Sequence, residues 1–282
     1  MSLFQPTELF KFLESIGHKP SKRLSQNFLI DGNILNKILT SAHISPGDFV
    51  IEIGPGPGVL TEGLLKLGAQ VIAIEKDPLF AKSLHRLQTP LNSLKVFQED
   101  ILEFPLVEVL KAHLQPHKRA KVISNLPYHL TSPIFDKILP LHPWIDRVIV
   151  MIQKEVADRI VSKHGSKNYS SFSIFTQFYS DVSLLFQVSP QCFYPKPKVT
   201  SAVIECLLKA PPSHIHPSLF LEFVRKAFST RRKMLTTSLK TFIDQEKLIH
   251  CLNALSIDIK SRPEQLSLEE FLTLFTCLTT SS

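Results

Sequence analysis

The tetrapeptide Asn125-Leu126-Pro127-Tyr128 follows directly on the apolar run Lys121-Val122-Ile123-Ser124. A short apolar run bounded by turn residues reads as a buried strand. The tip of that strand therefore carries a carboxamide, a rigid bend and an aromatic ring. This set suits chemistry on the exocyclic amine of a flat base. Such an amine is a poor nucleophile because its lone pair is delocalised into the ring. If the Asn125 side-chain oxygen and the Leu126 carbonyl accept its two hydrogens, the nitrogen becomes more tetrahedral and its lone pair is aimed at an electrophile. A base must leave its stack to react, and aromatic faces hold it once out. Tyr128 offers one face. Phe193, in Cys192-Phe193-Tyr194-Pro195-Lys196-Pro197, offers the other from a proline-stiffened loop, or equally reads as an aromatic that caps the core. Stacking of this sort contributes about 1–3 kcal/mol per base. Taken alone, the tetrapeptide also fits an ordinary turn, because Asn and Pro are common there.

A second constellation lies upstream. Glu52-Ile53-Gly54-Pro55-Gly56-Pro57-Gly58 joins a strand to a helix. Its glycines permit a sharp turn and close approach of a ligand to the backbone. Such a loop alone is shared by dinucleotide sites, methyl-donor sites and structural turns. Glu75 ends the next strand, where it can accept both hydroxyls of a ribose; it also reads as a helix N-terminal charge ahead of Pro78. Asp100 follows the third strand and can accept from an adenine amine, or cap the turn before Ile101. Three acids at successive strand ends repel a pyrophosphate and suit a cationic nucleoside. The cofactor expected is S-adenosylmethionine. NAD, the oxidoreductase alternative, also lacks its GxGxxG spacing. With a sulfonium leaving group, alignment and amine polarisation suffice, so neither a metal nor a covalent intermediate is expected.

The elements that must position these residues alternate. Strands are predicted at 49–53, 70–74, 94–97, 121–124 and 147–152, with helices at 59–67, 78–87 and 132–139. Alternation of this kind argues for a parallel, doubly wound sheet, with ligands outside the carboxyl ends of its strands. Two further β-rich stretches, 182–188 and 199–208, are expected to pair as an antiparallel edge. After Lys209 the character changes. Ala210-Pro211-Pro212-Ser213 signals a linker, and 218–228, 234–242, 247–255 and 268–278 show helical spacing. The fold class expected is α/β, a Rossmann-like methyltransferase core over 46–209. A basic arm precedes it over 1–45, and a smaller all-helical domain follows over 210–282.

The chain has 282 residues, 44% hydrophobic, enough for a large domain and a small one. No run of about 18 apolar residues occurs, so no membrane span is expected, and the N-terminus lacks the pattern of a signal peptide. Cytoplasmic location and a monomer are the default expectations. The four cysteines are far apart in sequence and form no CxxC pair. Reduced thiols and no structural zinc are expected. A net charge of +7 favours a polyanionic partner.

In order along nearly the whole chain, the motifs resemble one family, the ribosomal RNA small-subunit adenine dimethyltransferases. They are Gln26-Asn27-Phe28-Leu29 with Asp31, Glu52 to Gly58, Glu75-Lys76-Asp77, Asn125 to Tyr128, Gln153 to Ala157, Phe193 to Val199, Arg231-Arg232-Lys233 and Arg262-Pro263-Glu264. Eight motifs in sequence order are far more specific than any one. Ser25 stands where the family pattern has glycine, and Glu99-Asp100-Ile101 where it has Gly-Asp-Ala. The resemblance implies transfer of two methyl groups to each of two adjacent adenines in the 3′-terminal stem-loop of 16S rRNA, within an immature small subunit. It implies that Gln26, Asn27 and Leu29 line the cofactor pocket with Glu52, Gly54, Gly56, Glu75, Lys76, Asp100, Ile101 and Asn125. It gives the helical domain a role in docking rRNA.

Basic residues fit that partner: Lys22, Arg23, Lys196, Arg231, Arg232 and Lys233, with Lys19, Lys198, Arg225 and Lys226 nearby in sequence. Their phosphate contacts would be salt-dependent and largely blind to sequence. Two other readings stand beside this one. The 23S rRNA adenine methyltransferases of macrolide resistance share the core logic, but Arg231-Arg232-Lys233 and Arg262-Pro263-Glu264 favour the small-subunit family. A ribosome-assembly factor acting mainly by binding would use the same basic helical domain.

Overall fold

The computed structural model describes residues 3–18, 26–91, 93–230 and 233–280. Lys19, Lys22, Arg23, Arg231 and Arg232 lie outside them. In chain order the elements are α1 (Pro6–Ser15), β1 (Phe28–Leu29), α2 (Gly32–Ser41), β2 (Phe49–Ile53), α3 (Val59–Lys66), β3 (Gln70–Ile74), α4 (Pro78–Leu84), β4 (Ser93–Phe97), α5 (Leu106–His113), β5 (Ala120–Asn125) and α6 (Thr131–Ile138). There follow β6 (Ile145–Gln153), α7 (Lys154–Ile160), α8 (Ser171–Tyr179), β7 (Ser180–Val188), β8 (Phe193–Tyr194), β9 (Ser201–Leu208), α9 (Pro217–Ala227), α10 (Leu235–Ser238), α11 (Gln245–Ala254) and α12 (Leu268–Thr280). The chain forms two compact units. One comprises Met1–Ala157 and Ser183–Leu208, the other Asp158–Val182 and Lys209–Ser282.

The first unit carries a seven-stranded sheet in the order β4-β3-β2-β5-β6-β9-β7. β4, β3, β2, β5 and β6 run parallel, and β9 is antiparallel to β6. All five residues of β2 are buried, as the inner strand of a sheet covered on both faces must be. The strand order reverses between β2 and β5, and there the ladder opens. Backbone pairing stops at Val50–Lys121 and Ile51–Val122. On either side the ladders run on past the strand ends, through Gly54 N–H to Ile74 O (2.9 Å) and Leu126 N–H to Met151 O (3.1 Å). In the opening, the Ser124 hydroxyl replaces the missing backbone partner. It accepts from Ile53 N–H at 2.6 Å and donates to Ile53 C=O at 2.7 Å. A crevice at a reversal of strand order is where open α/β sheets bind ligands. Ser124→Ala removes the partner of two buried main-chain groups, and we expect it to lower unfolding free energy by about 2 kcal/mol in chemical denaturation.

The N-terminal arm is tied to a later segment of this unit. β1 pairs antiparallel with β8, Phe28 opposite Tyr194 and Leu29 opposite Phe193. Two-residue strands carry no periodicity, so this pairing was not expected from sequence. β9 and β7 lie side by side at the sheet edge, with β9 the inner of the two.

The second unit is helical apart from the start of β7. In α9, Phe220, Phe223, Val224 and Ala227 are buried, the spacing of one helix face. Phe220 meets Phe178 of α8 at 4.9 Å between ring centres and Phe275 of α12 at 5.6 Å. The helix expected over 234–242 is reduced to α10, whose Thr236-Thr237-Ser238 run favours turns over helix. α8, with its Phe- and Ser-rich sequence, was not foreseen; Ser170 and Ser173 form a capping box at its start. The expectation of four reduced thiols fails for one pair. Cys251 of α11 and Cys277 of α12 are joined as a disulfide, with Cα atoms 6.0 Å apart. A separation of 26 residues hid the pair in sequence, whereas two packed helices bring it together. Cys192 and Cys206 are free thiols.

Among the described residues no helix is long and apolar enough to cross a membrane, and no cluster of His, Cys, Asp and Glu could hold a metal ion.

Candidate active site

A cavity of about 190 Å³ opens at the crevice between the ends of β2 and β5. Gln26, Asn27 and Leu29 of the arm line it, with Glu52, Gly54 and Gly56 of the first loop. Glu75 and Lys76 after β3, Asp100 and Ile101 after β4, and Asn125, Leu126 and Tyr128 after β5 complete the expected set. Phe193 is not in it. Its side chain is 3% exposed and belongs to the hydrophobic core behind β1. The ring expected to face a base from that side is therefore packed away, and of the two expected stacking rings Tyr128 alone lines the cavity.

The loop before α3 needs its glycines for definite reasons. Gly58 caps α3 at φ 84°, and a Cβ there would lie 2.7 Å from Leu84 Cδ2. Gly56 has φ 55°, a left-handed conformation that other residues adopt only with strain. Gly56 N–H donates to Glu75 Oε2 at 2.9 Å, and Asp77 N–H donates to Glu75 Oε1 at 2.8 Å. Both oxygens of Glu75 are thus held in place by main-chain donors. Each keeps a second lone pair for a ligand hydroxyl. Burial raises the Glu75 carboxyl above its ordinary value, against these hydrogen bonds.

Glu52 is the more perturbed acid. Burial, with the nearby charge of Glu75 and against hydrogen bonding from Thr61, pushes its carboxyl up to about 8. Its Oε2 is buried without a hydrogen-bond partner among the described residues. An orphaned carboxylate oxygen beside an acid-lined pocket is what a cationic ligand would satisfy. Asp100 differs: an ion pair with Lys76 at 2.7 Å holds its carboxyl below the ordinary value. Its Oδ1 accepts from Leu102 N–H at 2.9 Å, so it caps the turn as well as facing the cavity.

At the end of β5, the Asn125 amide is oriented by its surroundings. Nδ2 donates to the Asn27 carbonyl at 3.0 Å. That contact assigns the nitrogen and leaves Oδ1 as the acceptor on the other side. The Tyr128 hydroxyl bonds Ser201 Oγ of β9 at 2.5 Å, fixing the ring over the turn. Burial raises the Tyr128 hydroxyl above its usual value, against its bond with Ser201.

A ribosomal RNA adenine dimethylase family model matches residues 17–280. The chain belongs to that family. Relatives described as ribosomal RNA small subunit methyltransferase A agree along the full length. That of Protochlamydia amoebophila is 46% identical over 98% of this chain and 97% of its own, and that of Chlamydia caviae 43% identical over all of both. The crystal structure of a dimethyladenosine transferase from Plasmodium falciparum matches with TM-score 0.75 and 26% identity, covering 88% of this chain and 95% of that one. The 23S rRNA methyltransferase ErmE shares the fold, with TM-score 0.68, 24% identity, and cover of 90% and 100%.

Several residues that shape this dimethylase pocket were not assigned from sequence. Ser124 and Ser201 act only through distant strands, so nothing local marks them. Asp77 carried a visible signal, an acid before Pro78 at a helix start. It caps α4 through Leu79 N–H at 2.9 Å, and it accepts from His18 at 3.0 Å and Gln26 at 3.2 Å. Burial works to raise the Asp77 carboxyl, and the bonds from His18, Leu79 and Gln26 outweigh it, so it lies below its ordinary value. Lys196 and Lys198 are exposed beside β8, and Lys233 is exposed in the second unit.

Glu52 also makes a prediction for the dimethylase itself. The folded chain holds a proton there up to pH about 8, whereas the ordinary carboxyl value is 4.5. Between these values the folded state binds the extra proton, so stability is full below the lower value and falls as pH rises through the window. The slope reaches up to about 1.4 kcal/mol per pH unit. Denaturation of the Glu52→Gln variant from pH 5 to 9 should lack that component of the slope.

Proposed function

We propose that this chain transfers methyl groups from S-adenosylmethionine to the N6 amines of two adjacent adenines in the 3′-terminal stem-loop of 16S rRNA, two to each, during small-subunit maturation. The observation that carries this reading is the Asn125 amide. Its nitrogen is committed to Asn27, which leaves its oxygen to accept, and it lines an acid-lined pocket together with Leu126 and Tyr128. Small-subunit relatives at 46% identity, against 24% for the 23S enzyme, support the small-subunit substrate over the macrolide-resistance alternative.

The donor fits the residues present. Glu75 would hold the ribose, Asp100 and Ile101 the adenine, and Glu52 the cationic end. Bound there, the donor supplies a methyl group on a sulfonium, a strong electrophile with a neutral leaving group. For the first methyl, Asn125 Oδ1 and the Leu126 carbonyl would accept the two hydrogens of the target amine and fix the direction of its lone pair; for the second, one of them would hold the single hydrogen that remains, and at each transfer the nitrogen would release one proton to solvent. Tyr128, anchored by Ser201, stacks on the base and excludes water from one side. Phe193 completes the stack only if it turns out of the core. The exposed Lys196, Lys198 and Lys233 contact phosphates, and with Lys22, Arg23, Arg231 and Arg232 they make binding salt-dependent. The arm, the α/β core and the helical segment after 209 then act as a cytoplasmic monomer, the last of these docking rRNA.

The reading is tested with purified protein, donor and immature small subunits. N6,N6-dimethyladenine at both positions is expected by mass spectrometry, and its absence sinks the proposal. Affinity for the donor should rise with pH towards 8, because a cationic ligand favours ionised Glu52. Calorimetry should detect proton release on binding that is lost in Glu52→Gln.

A further inference from the structure

Helix α1 lies before residue 17, where the family match begins, yet it packs on a residue that holds the glycine loop of the donor pocket. On its buried face, the Phe12 ring meets the Arg86 guanidinium at 4.5 Å. That guanidinium donates to Pro57 C=O in the glycine loop at 2.5 Å, and to Ser83 C=O at 3.0 Å. Just past the helix, His18 is 8% exposed. Its ring packs on Phe80 at 4.2 Å between centres, and its Nε2 bonds Asp77 Oδ2 at 3.0 Å. Gln26 bonds the same oxygen from the pocket wall at 3.2 Å. Asp77 in turn donates its N–H to Glu75 Oε1, while Glu75 Oε2 holds Gly56.

Two contact chains therefore run from α1 and its extension to the same loop. One is Phe12 to Arg86 to Pro57. The other is His18 to Asp77 to Glu75 to Gly56. We propose that α1 and His18 form a positioning clasp that holds the glycine loop and Glu75 in the donor-binding arrangement. His18 and Phe12 act through other residues and are positioning residues. Each is partnered or packed on its target, so the clasp exists before a ligand binds. It lowers the cost of ordering the loop on binding, which appears as donor affinity rather than as rate. The inference rests on S-adenosylmethionine being the ligand of this pocket.

The test uses the full chain. The dissociation constant for S-adenosylmethionine is measured by calorimetry, at a temperature where circular dichroism shows each variant fully folded. His18→Ala should weaken binding about tenfold and Phe12→Leu about threefold. His18→Gln, whose side-chain amide can still donate to Asp77, should remain within about twofold of the parent. Without ligand, the Gly56 amide should exchange faster in His18→Ala and Phe12→Leu. Equal affinity in His18→Ala and the parent overturns the clasp, as does a loss in His18→Gln as large as in His18→Ala. If His18→Ala does not fold, unchanged affinity and unchanged Gly56 exchange in Phe12→Leu overturn it. A parent protein that does not bind the donor refutes the ligand assignment instead. In that case Gly56 exchange alone decides the clasp: faster in the variants supports it, equal overturns it.

Discussion

Replacing Asn125 by alanine lowers the rate of methyl transfer by about 10²–10³-fold, the loss seen when one aligned hydrogen-bonding group is removed from a reacting centre. The geometry explains why so much rests on one amide. Asn125 Nδ2 is held by the Asn27 carbonyl at 3.0 Å, so the side chain does not choose between orientations when the base arrives. Its oxygen is already directed, and no ordering cost falls on the reaction step. Aspartate does not substitute. It offers two oxygens but no donor for Asn27, and one carboxylate oxygen would face that carbonyl. Asn125→Asp should therefore lose rate as well, and fall further at high pH. Single-turnover methylation of subunits, with donor affinity measured separately, separates the effects. A variant that binds donor within about threefold of the parent yet fails in transfer is the expected result. Full transfer by Asn125→Ala would remove the amide from the mechanism. If that variant binds subunits, cannot methylate and fully restores assembly in cells, binding is the principal role.

Glu75→Ala should raise the donor dissociation constant about a hundredfold, or about 2.7 kcal/mol. Two losses add. The ribose hydroxyls lose their acceptor, and the N–H groups of Gly56 and Asp77 lose theirs. Each buried donor left unsatisfied costs about 1–3 kcal/mol, so the thermal midpoint should fall too. Glu75→Gln keeps one carbonyl oxygen but turns an NH₂ towards the other main-chain donor, and should fall between the two. Calorimetric titration together with thermal denaturation reads both quantities. A destabilised Glu75→Ala protein that binds the donor with parental affinity would leave Glu75 a structural brace only.

Local signals account for most of the α/β core. β2 and β3 lie where the apolar runs place them, because buried parallel strands are nearly continuous in apolar residues. The acids and the Asn125 tetrapeptide were legible for the same reason: each lies in or shortly after an apolar run that reads as a strand. α5 and α8 were not foreseen, and the helix expected over 234–242 shrank to four residues. β1 and β8 have no period of their own and exist only because each is the other's partner.

By itself the sequence determined which residue types stand at the ends of β2, β3, β4 and β5, and the order of motifs that marks the family. The tertiary structure decided what those residues face. It opened the sheet at Ser124, turned the Asn125 amide with a carbonyl 98 residues away, and buried Phe193. It joined Cys251 to Cys277 and brought His18 onto Asp77. The physical reason is one of range. Burial periodicity and turn chemistry act between neighbours in the chain, whereas the direction of a side-chain hydrogen bond is set by whichever group packing delivers to it.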